Sequence, residues 1–129
     1  MPGKYGKKIY GGIGEEIARR ELERAGYEVL ESNYRGARGE VDIIARDGEV
    51  LVMVEVKARA SGVYGDPEEA VDSRKARKIA LTALEYLQER ELGEPPVRLD
   101  VVAIILNDGA EAEVRIIPNA LELGDYVRP

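Results

Sequence analysis

A chain of 129 residues, 44% hydrophobic and 34% charged, is long enough to bury one sizeable core and too apolar to stay disordered, so a single globular domain is expected. Histidine and cysteine are both absent, which excludes disulfides, thiol catalysis, zinc–thiolate sites, Ser-His and Cys-His triads and the HExxH zinc site. The formal net charge of −6 argues mildly against a nucleic-acid partner.

What remains for chemistry is carboxylates, lysine, tyrosine, serine, or a hard metal held by oxygens, for which magnesium or manganese is the natural choice. The charge is also uneven: Lys4, Lys7 and Lys8 form a basic, glycine-rich arm, and Arg74, Lys75, Arg77 and Lys78 a second cluster. No apolar run approaches the roughly 18 residues of a membrane span. The N-terminus lacks the apolar centre of a signal peptide, so a cytoplasmic location is expected.

Residues 1–12 read as a flexible arm, either plain disorder or a tail that touches substrate. Residues 13–118 read as the domain and residues 119–129 as a tail. Ile13 to Ala25 is the first helix, closed by Gly26, with Ile17, Ala18, Leu22 and Ala25 on one arc. Glu15 lies at the edge of that arc, where an acid is ordinarily a partner for the helix dipole. Glu21 falls inside the arc, and nothing in the pattern explains it. Tyr27 to Ser32 alternates as a strand. Asn33 to Arg38 follows as a loop carrying Arg35 and Arg38, whose planar forks suit phosphate but in loops are commonly just solvated.

Next come two strands, Glu40 to Arg46 and Glu49 to Lys57, with Asp47-Gly48 as the expected two-residue turn. That turn sets Arg46 opposite Glu49, Asp42 opposite Met53 and Glu40 opposite Glu55. Side chains alternate, so Asp42, Met53, Glu55 and Lys57 share a side, with Asp42 and Glu55 diagonal neighbours roughly 7–8 Å apart at the backbone. Two carboxylates so placed can converge on one cation. The alternative is a solvent-facing polar side. Against it, Leu51 to Val56 is otherwise unbroken apolar, as in a covered central strand, where unpaired charges would cost several kcal/mol.

Ala58 to Gly65 leaves this strand as a polar loop with Arg59, Ser61 and Tyr64 near the mouth of any site. Asp66-Pro67-Glu68-Glu69 carries helix-start signals, and Asp72-Ser73 offers a second start. The helix runs to about Glu91 on a stripe of Ala76, Ile79, Ala80, Ala83, Leu84 and Leu87, ended by Gly93 and Pro95-Pro96. Val97 to Leu106 is a near-continuous apolar strand in which Arg98 and Asp100 share a side and pair with each other. Asn107-Asp108-Gly109 is a turn, and Glu111 to Pro118 an edge strand stopped by proline. The order α-β-β-β-α-β-β predicts an α/β fold: a mixed five-stranded sheet flanked by helices, with a parallel crossover between the third and fourth strands.

The spacing of Asp42, twelve residues, then Glu55-Val56-Lys57 resembles the D-x(n)-(D/E)-x-K core of the PD-(D/E)XK nucleases, which have a restriction-endonuclease-like fold. Further matches fall in order: Gly11-Gly-Ile-Gly14-Glu15-Glu-Ile-Ala18, Gly26-Tyr27, Asn33-Tyr-Arg35, Gly39-Glu-Val-Asp42, Val54-Glu-Val-Lys57-Ala-Arg59, Gly65-Asp-Pro67, Val71, Lys75 and Arg98-Leu-Asp100-Val-Val-Ala. Together they resemble uncharacterised protein family 0102, the YraN-type proteins related to archaeal Holliday junction resolvases, over roughly Tyr10 to Ile117. The chain departs at Glu21, Met53 and Leu99, where members often carry aromatics.

The resemblance implies a divalent-metal-dependent nuclease acting on DNA rather than RNA, with branched DNA by analogy. Asp42, Glu55 and the Val56 carbonyl would be metal ligands, Glu15 an auxiliary one, and Lys57 the catalytic cation. Arg35, Arg38, Arg59 and Lys75 are the expected nucleic-acid contacts. A homodimer is left open, and no membrane partner is expected. The rival readings are a non-catalytic nucleic-acid-binding or assembly module that keeps the fold, and a metal-dependent enzyme for another phosphate ester.

Overall fold

The computed structural model describes residues 7–60, 73–107, 109 and 111–123. Its elements are α1 (Lys7–Arg24), β1 (Glu28–Arg35), β2 (Glu40–Asp47), β3 (Val50–Ala60), α2 (Ser73–Arg90), β4 (Val97–Leu106) and β5 (Glu113–Glu122). The strands form one sheet in sequence order, antiparallel throughout except for β3 and β4, which run parallel across the α2 crossover. This is the α/β arrangement that the element order predicts, and it agrees with the restriction-endonuclease-like fold that the resemblance implies.

The alternation of β3 fixes the layers. Val52, Val54 and Val56 pack with Ala18 and Leu22 of α1, and Leu51 and Met53 with Ala76, Ile79, Ala80, Ala83, Tyr86 and Leu87 of α2. A strand apolar on both sides must be covered on both, and the two helices supply the covers. α1 lies over the sheet at Gly14, where a Cβ would meet Ile104 Cδ1 at 3.7 Å and Val56 Cγ1 at 3.9 Å, ordinary van der Waals contact. Among the described residues no helix is long and apolar enough to cross a membrane.

Several boundaries differ from expectation. α1 begins at Lys7, so Lys7 to Gly12 of the expected arm are helical. β1 continues through Asn33 to Arg35, which shortens the expected loop to Gly36–Gly39. Asp66 to Glu69, Ser61 and Tyr64 lie outside the described residues.

The hairpin corner moves by one residue. Asp47 pairs with Val50, so Gly48-Glu49 forms the turn rather than Asp47-Gly48. Gly48 takes the first corner with φ +63, the sign that a type II′ turn demands and that glycine alone supplies cheaply. Pro118 does not stop β5. Leu99 pairs with Leu121 but Val101 with Ile117, so Pro118 to Ala120 bulge out opposite Asp100. Proline is tolerated in an edge strand at such a bulge, and beyond it Leu123 is fully buried against the α2 layer.

Asp100 occupies that gap and is fully buried. Its Oδ1 accepts the Asn119 N–H at 2.8 Å and Arg98 Nε at 2.8 Å, and its Oδ2 accepts the Tyr27 hydroxyl at 2.6 Å. Arg98 also reaches Asp47 Oδ2 at 2.9 Å, tying β4 to the hairpin corner. The expected Arg98–Asp100 pair is therefore present, as a structural knot. Asp100→Ala should destabilise the protein by about 3–5 kcal/mol in urea unfolding, because it takes their acceptor from the Tyr27 hydroxyl and the Asn119 N–H and leaves the half-buried Arg98 with Asp47 alone.

Burial and the Asp100 carboxylate push the Tyr27 phenol well above its usual range, and burial with Glu89 does the same to Tyr34. An unfolded tyrosine ionises near pH 10, while the folded ones keep their protons. Their stabilising contribution is whole below about pH 10 and lost as the pH climbs beyond it. Urea midpoints should therefore fall steeply above that pH, and Tyr27→Phe or Tyr34→Phe should flatten the fall.

Candidate metal centre

Asp42 lies where β2 parts from β3. The last paired residues there are Ile43 and Val54. One residue on, the Asp42 side chain takes over from the backbone ladder, and its Oδ2 accepts the Val56 N–H at 2.8 Å. The register continued by one step sets Asp42 directly opposite Glu55, instead of opposite Met53 as the sequence suggested. The one-residue shift of the turn moves both partners together, so parity survives and the two acids come closer.

The parting coincides with an irregularity in β1. Asn33, which stands between the pairs Ser32–Ile43 and Tyr34–Val41, has φ +54, a left-handed conformation that asparagine tolerates better than most residues. Strict alternation breaks beside it. Ile43 and Ala45 pack on the α1 side, yet both Val41 and Ile44 pack on the α2 side, with Asp42 at the switch.

Glu55 follows Leu51 and Met53 onto the α2 side, where Lys75 Nζ lies 3.3 Å from its Oε1. Asp42 and Glu55 are 7% and 4% exposed, so two like charges sit in poor contact with water, at a cost of several kcal/mol unless cations share them. Lys57 keeps the side of Glu55 two residues on and is half-buried. Glu15, on α1, accepts a hydrogen bond from Asn33 Nδ2 at 2.8 Å. That asparagine stands opposite Asp42, so Glu15 is tied to the neighbour of the site. Among the described residues no three acidic side chains gather into a group arranged to hold a metal.

Magnesium is usually held by one or two carboxylates, with waters and substrate phosphate completing its shell. The donors here match that chemistry. Asp42 and Glu55 offer carboxylate oxygens, and a residue's N–H and C=O point to the same edge of a strand. The Val56 carbonyl therefore joins its N–H at the edge that β2 has left. All three are hard oxygen donors, suited to magnesium or manganese rather than to a softer ion.

The same end of the sheet collects basic groups. β3 ends there with Lys57 and Arg59, and α2 starts there with Arg74, Lys75, Arg77 and Lys78. The Gly36–Gly39 turn brings Arg35 and Arg38, clamped by Glu85, whose carboxylate accepts the Ala37 and Arg38 N–H groups at 2.9 and 3.2 Å. Arg35 bonds Glu40 at 3.0 Å in the open, a contact worth little. The N-terminal parts of both helices lie at this end, and helix N-termini favour anions. Among the described residues this end carries more cations than acids, although the net charge of the chain is −6.

The Lys75–Glu55 contact was not legible as such, because Lys75 reads as part of a solvated charge run. A signal exists: Lys75 precedes Ile79, Thr82 and Tyr86 at helical spacing, and those three are buried, so the inward stripe extends one turn back to Lys75. Asn33 carried no signal beyond its place in the quoted matches.

Fold and site define an α/β protein with a restriction-endonuclease-like core and paired acidic residues on its central strands. The family described as "Uncharacterised protein family UPF0102" matches residues 14–104, and the chain belongs to it. It is 42% identical over 119 residues to a UPF0102 protein of Trichlorobacter lovleyi, covering 92% of this chain and 94% of that one. It is 45% identical over 116 residues to one of Geobacter metallireducens, covering 90% and 94%. The figures for one of Syntrophus aciditrophicus are 46% over 113 residues, covering 88% of each.

If Asp42 replaces the missing strand partner of Val56, Asp42→Ala should expose that amide. A buried bond to a charged acceptor is worth about 1.5–3 kcal/mol. Hydrogen exchange at Val56 should accelerate by roughly 10- to 100-fold, with β4 amides unchanged.

Proposed function

We propose that this protein is a divalent-metal-dependent nuclease that hydrolyses phosphodiester bonds in DNA. The observation that carries the reading is the pair of buried carboxylates, Asp42 and Glu55, on the two strands that part at Val56. Asp42, Glu55 and the Val56 carbonyl would hold magnesium or manganese. Glu15 would join as an auxiliary ligand by exchanging its bond to Asn33. The bound ion would supply Lewis-acid polarisation of the phosphate and a water of lowered pKa.

The remaining roles belong to the chain. The Lys57 ammonium would orient the attacking water or offset charge on the pentacoordinate phosphorus, worth on the order of 3 kcal/mol. Arg35, Arg38, Arg59 and Lys75 would hold flanking phosphates. Branched DNA is the first substrate to test, by analogy with the related resolvases, and a second copy of the chain would offer such a substrate a second site. A cytoplasmic location, with DNA and magnesium at hand, goes with this reading.

Two observations favour the rival, a non-catalytic nucleic-acid-binding or assembly module. No three acids gather among the described residues, and Glu55 already has Lys75 as an ion-pair partner.

Cleavage of linear, flapped and four-way-junction DNA with magnesium, manganese or chelator separates the two. Wild type should cut with metal and not with chelator; a protein that binds junctions but never cuts them is the module. Glu55→Gln should lose cleavage and metal-induced thermal stabilisation together. Lys57→Met should keep the thermal shift, while its cleavage rate falls by roughly 10²–10³.

A further inference from the structure

We propose that Lys75 is a positioning residue of the metal centre: its ammonium occupies the Glu55 carboxylate in the metal-free protein, yields it to the metal, and turns to a substrate phosphate. This rests on the metal-centre reading above and adds the competition that regulates it.

Two observations carry the inference. The ion pair joins unequal partners: the Glu55 side chain is 6% exposed and fixed in the central strand, whereas Lys75 is 33% exposed on a long flexible stem. When the pair opens, the lysine is the partner that can leave. Lys75 also lies in the first turn of α2, which begins at Ser73. A cation there opposes the helix dipole, so helix stability does not account for it, while Glu55 does. The same helix end favours a phosphate once the ammonium turns outward.

The ion pair sets up the competition. In the metal-free protein the Lys75 ammonium offsets the charge of Glu55. A divalent ion bound there would take over that role, and the released ammonium would meet the negative charge that grows on a phosphodiester under attack. Lys75 thus lowers intrinsic metal affinity and raises the value of metal and substrate arriving together. A nearby cation must oppose metal entry, so removing it must strengthen metal binding, the reverse of what losing a merely structural residue would do.

The test is a calorimetric manganese titration, without DNA, of wild type, Lys75→Met and, as a distant charge control, Arg24→Met. Lys75→Met should bind manganese about tenfold more tightly, about 1.4 kcal/mol, and Arg24→Met like wild type. Its metal-free melting temperature should drop and be restored by manganese. Equal or weaker binding by Lys75→Met, with wild type binding normally, overturns the inference and leaves the metal centre standing. Absence of binding in both proteins overturns the metal centre and this inference with it. A second measurement on wild type needs no variant: acetylation of Lys75, read by mass spectrometry, should speed up several-fold when manganese is added. An unchanged or slower rate overturns the inference.

Discussion

Asp42 and Glu55 are two like charges on adjoining strands, both nearly out of water, and the rest of this end of the molecule is arranged around that cost. β2 leaves β3 at Asp42, so that the side chain can take the Val56 N–H. The left-handed Asn33 in β1 accompanies that departure, and its amide holds Glu15. The parallel pairing of β3 with β4 forces the chain through α2, whose first turn delivers Lys75 to Glu55. A fold with an unbroken β2–β3 ladder would hold the same residues without the gap that gathers them.

The second buried charge shows what a closed polar cluster looks like. Asp100 takes hydrogen bonds from Tyr27, Arg98 and the Asn119 backbone, and Arg98 extends the cluster to Asp47. Donors from β4, from β5 and from Tyr27 just before β1 enclose it, and the guanidinium lies 5.8 Å over the Tyr27 ring. This cluster pins the hairpin corner and the start of β4. Glu55, only one register step from the level of Asp100, faces the α2 layer and is served instead by Lys75 on a flexible stem. One cluster is locked by planar, multidentate arginine; the other carries a point charge that can exchange partners.

Much of this was readable in advance because it rests on period and parity. The alternation of β3, the apolar run of β4 and the long crossover predict a mixed sheet with β3 at its centre. Parity also makes the acid pairing robust: moving the turn from Asp47-Gly48 to Gly48-Glu49 brought Asp42 from a diagonal position to one directly opposite Glu55. The turn itself was misplaced because Asp-Gly scores as a type I′ pair, whereas the chain uses Gly48 at the first corner. Local signals also failed at Pro118, where the partner strand decides: Asp100 accepts the amide that the bulge releases. Two departures from the family pattern, Met53 and Leu99, are cross-strand partners in β3 and β4 and both fully buried, so their effects on packing fall in one place. The pairing of Lys75 with Glu55 stayed hidden because a charge run conceals which of its members points inward.

The central claim is that the edge of β3 vacated by β2 is a divalent-cation site. Crystals soaked in manganese and measured near its absorption edge test it most directly. The account predicts an anomalous peak within coordinating distance of the Asp42 and Glu55 carboxylates and the Val56 carbonyl, with Lys75 Nζ displaced from Glu55. Manganese ordered elsewhere on the protein, or full soaking with Lys75 still on Glu55 and no peak between the two carboxylates, would contradict it.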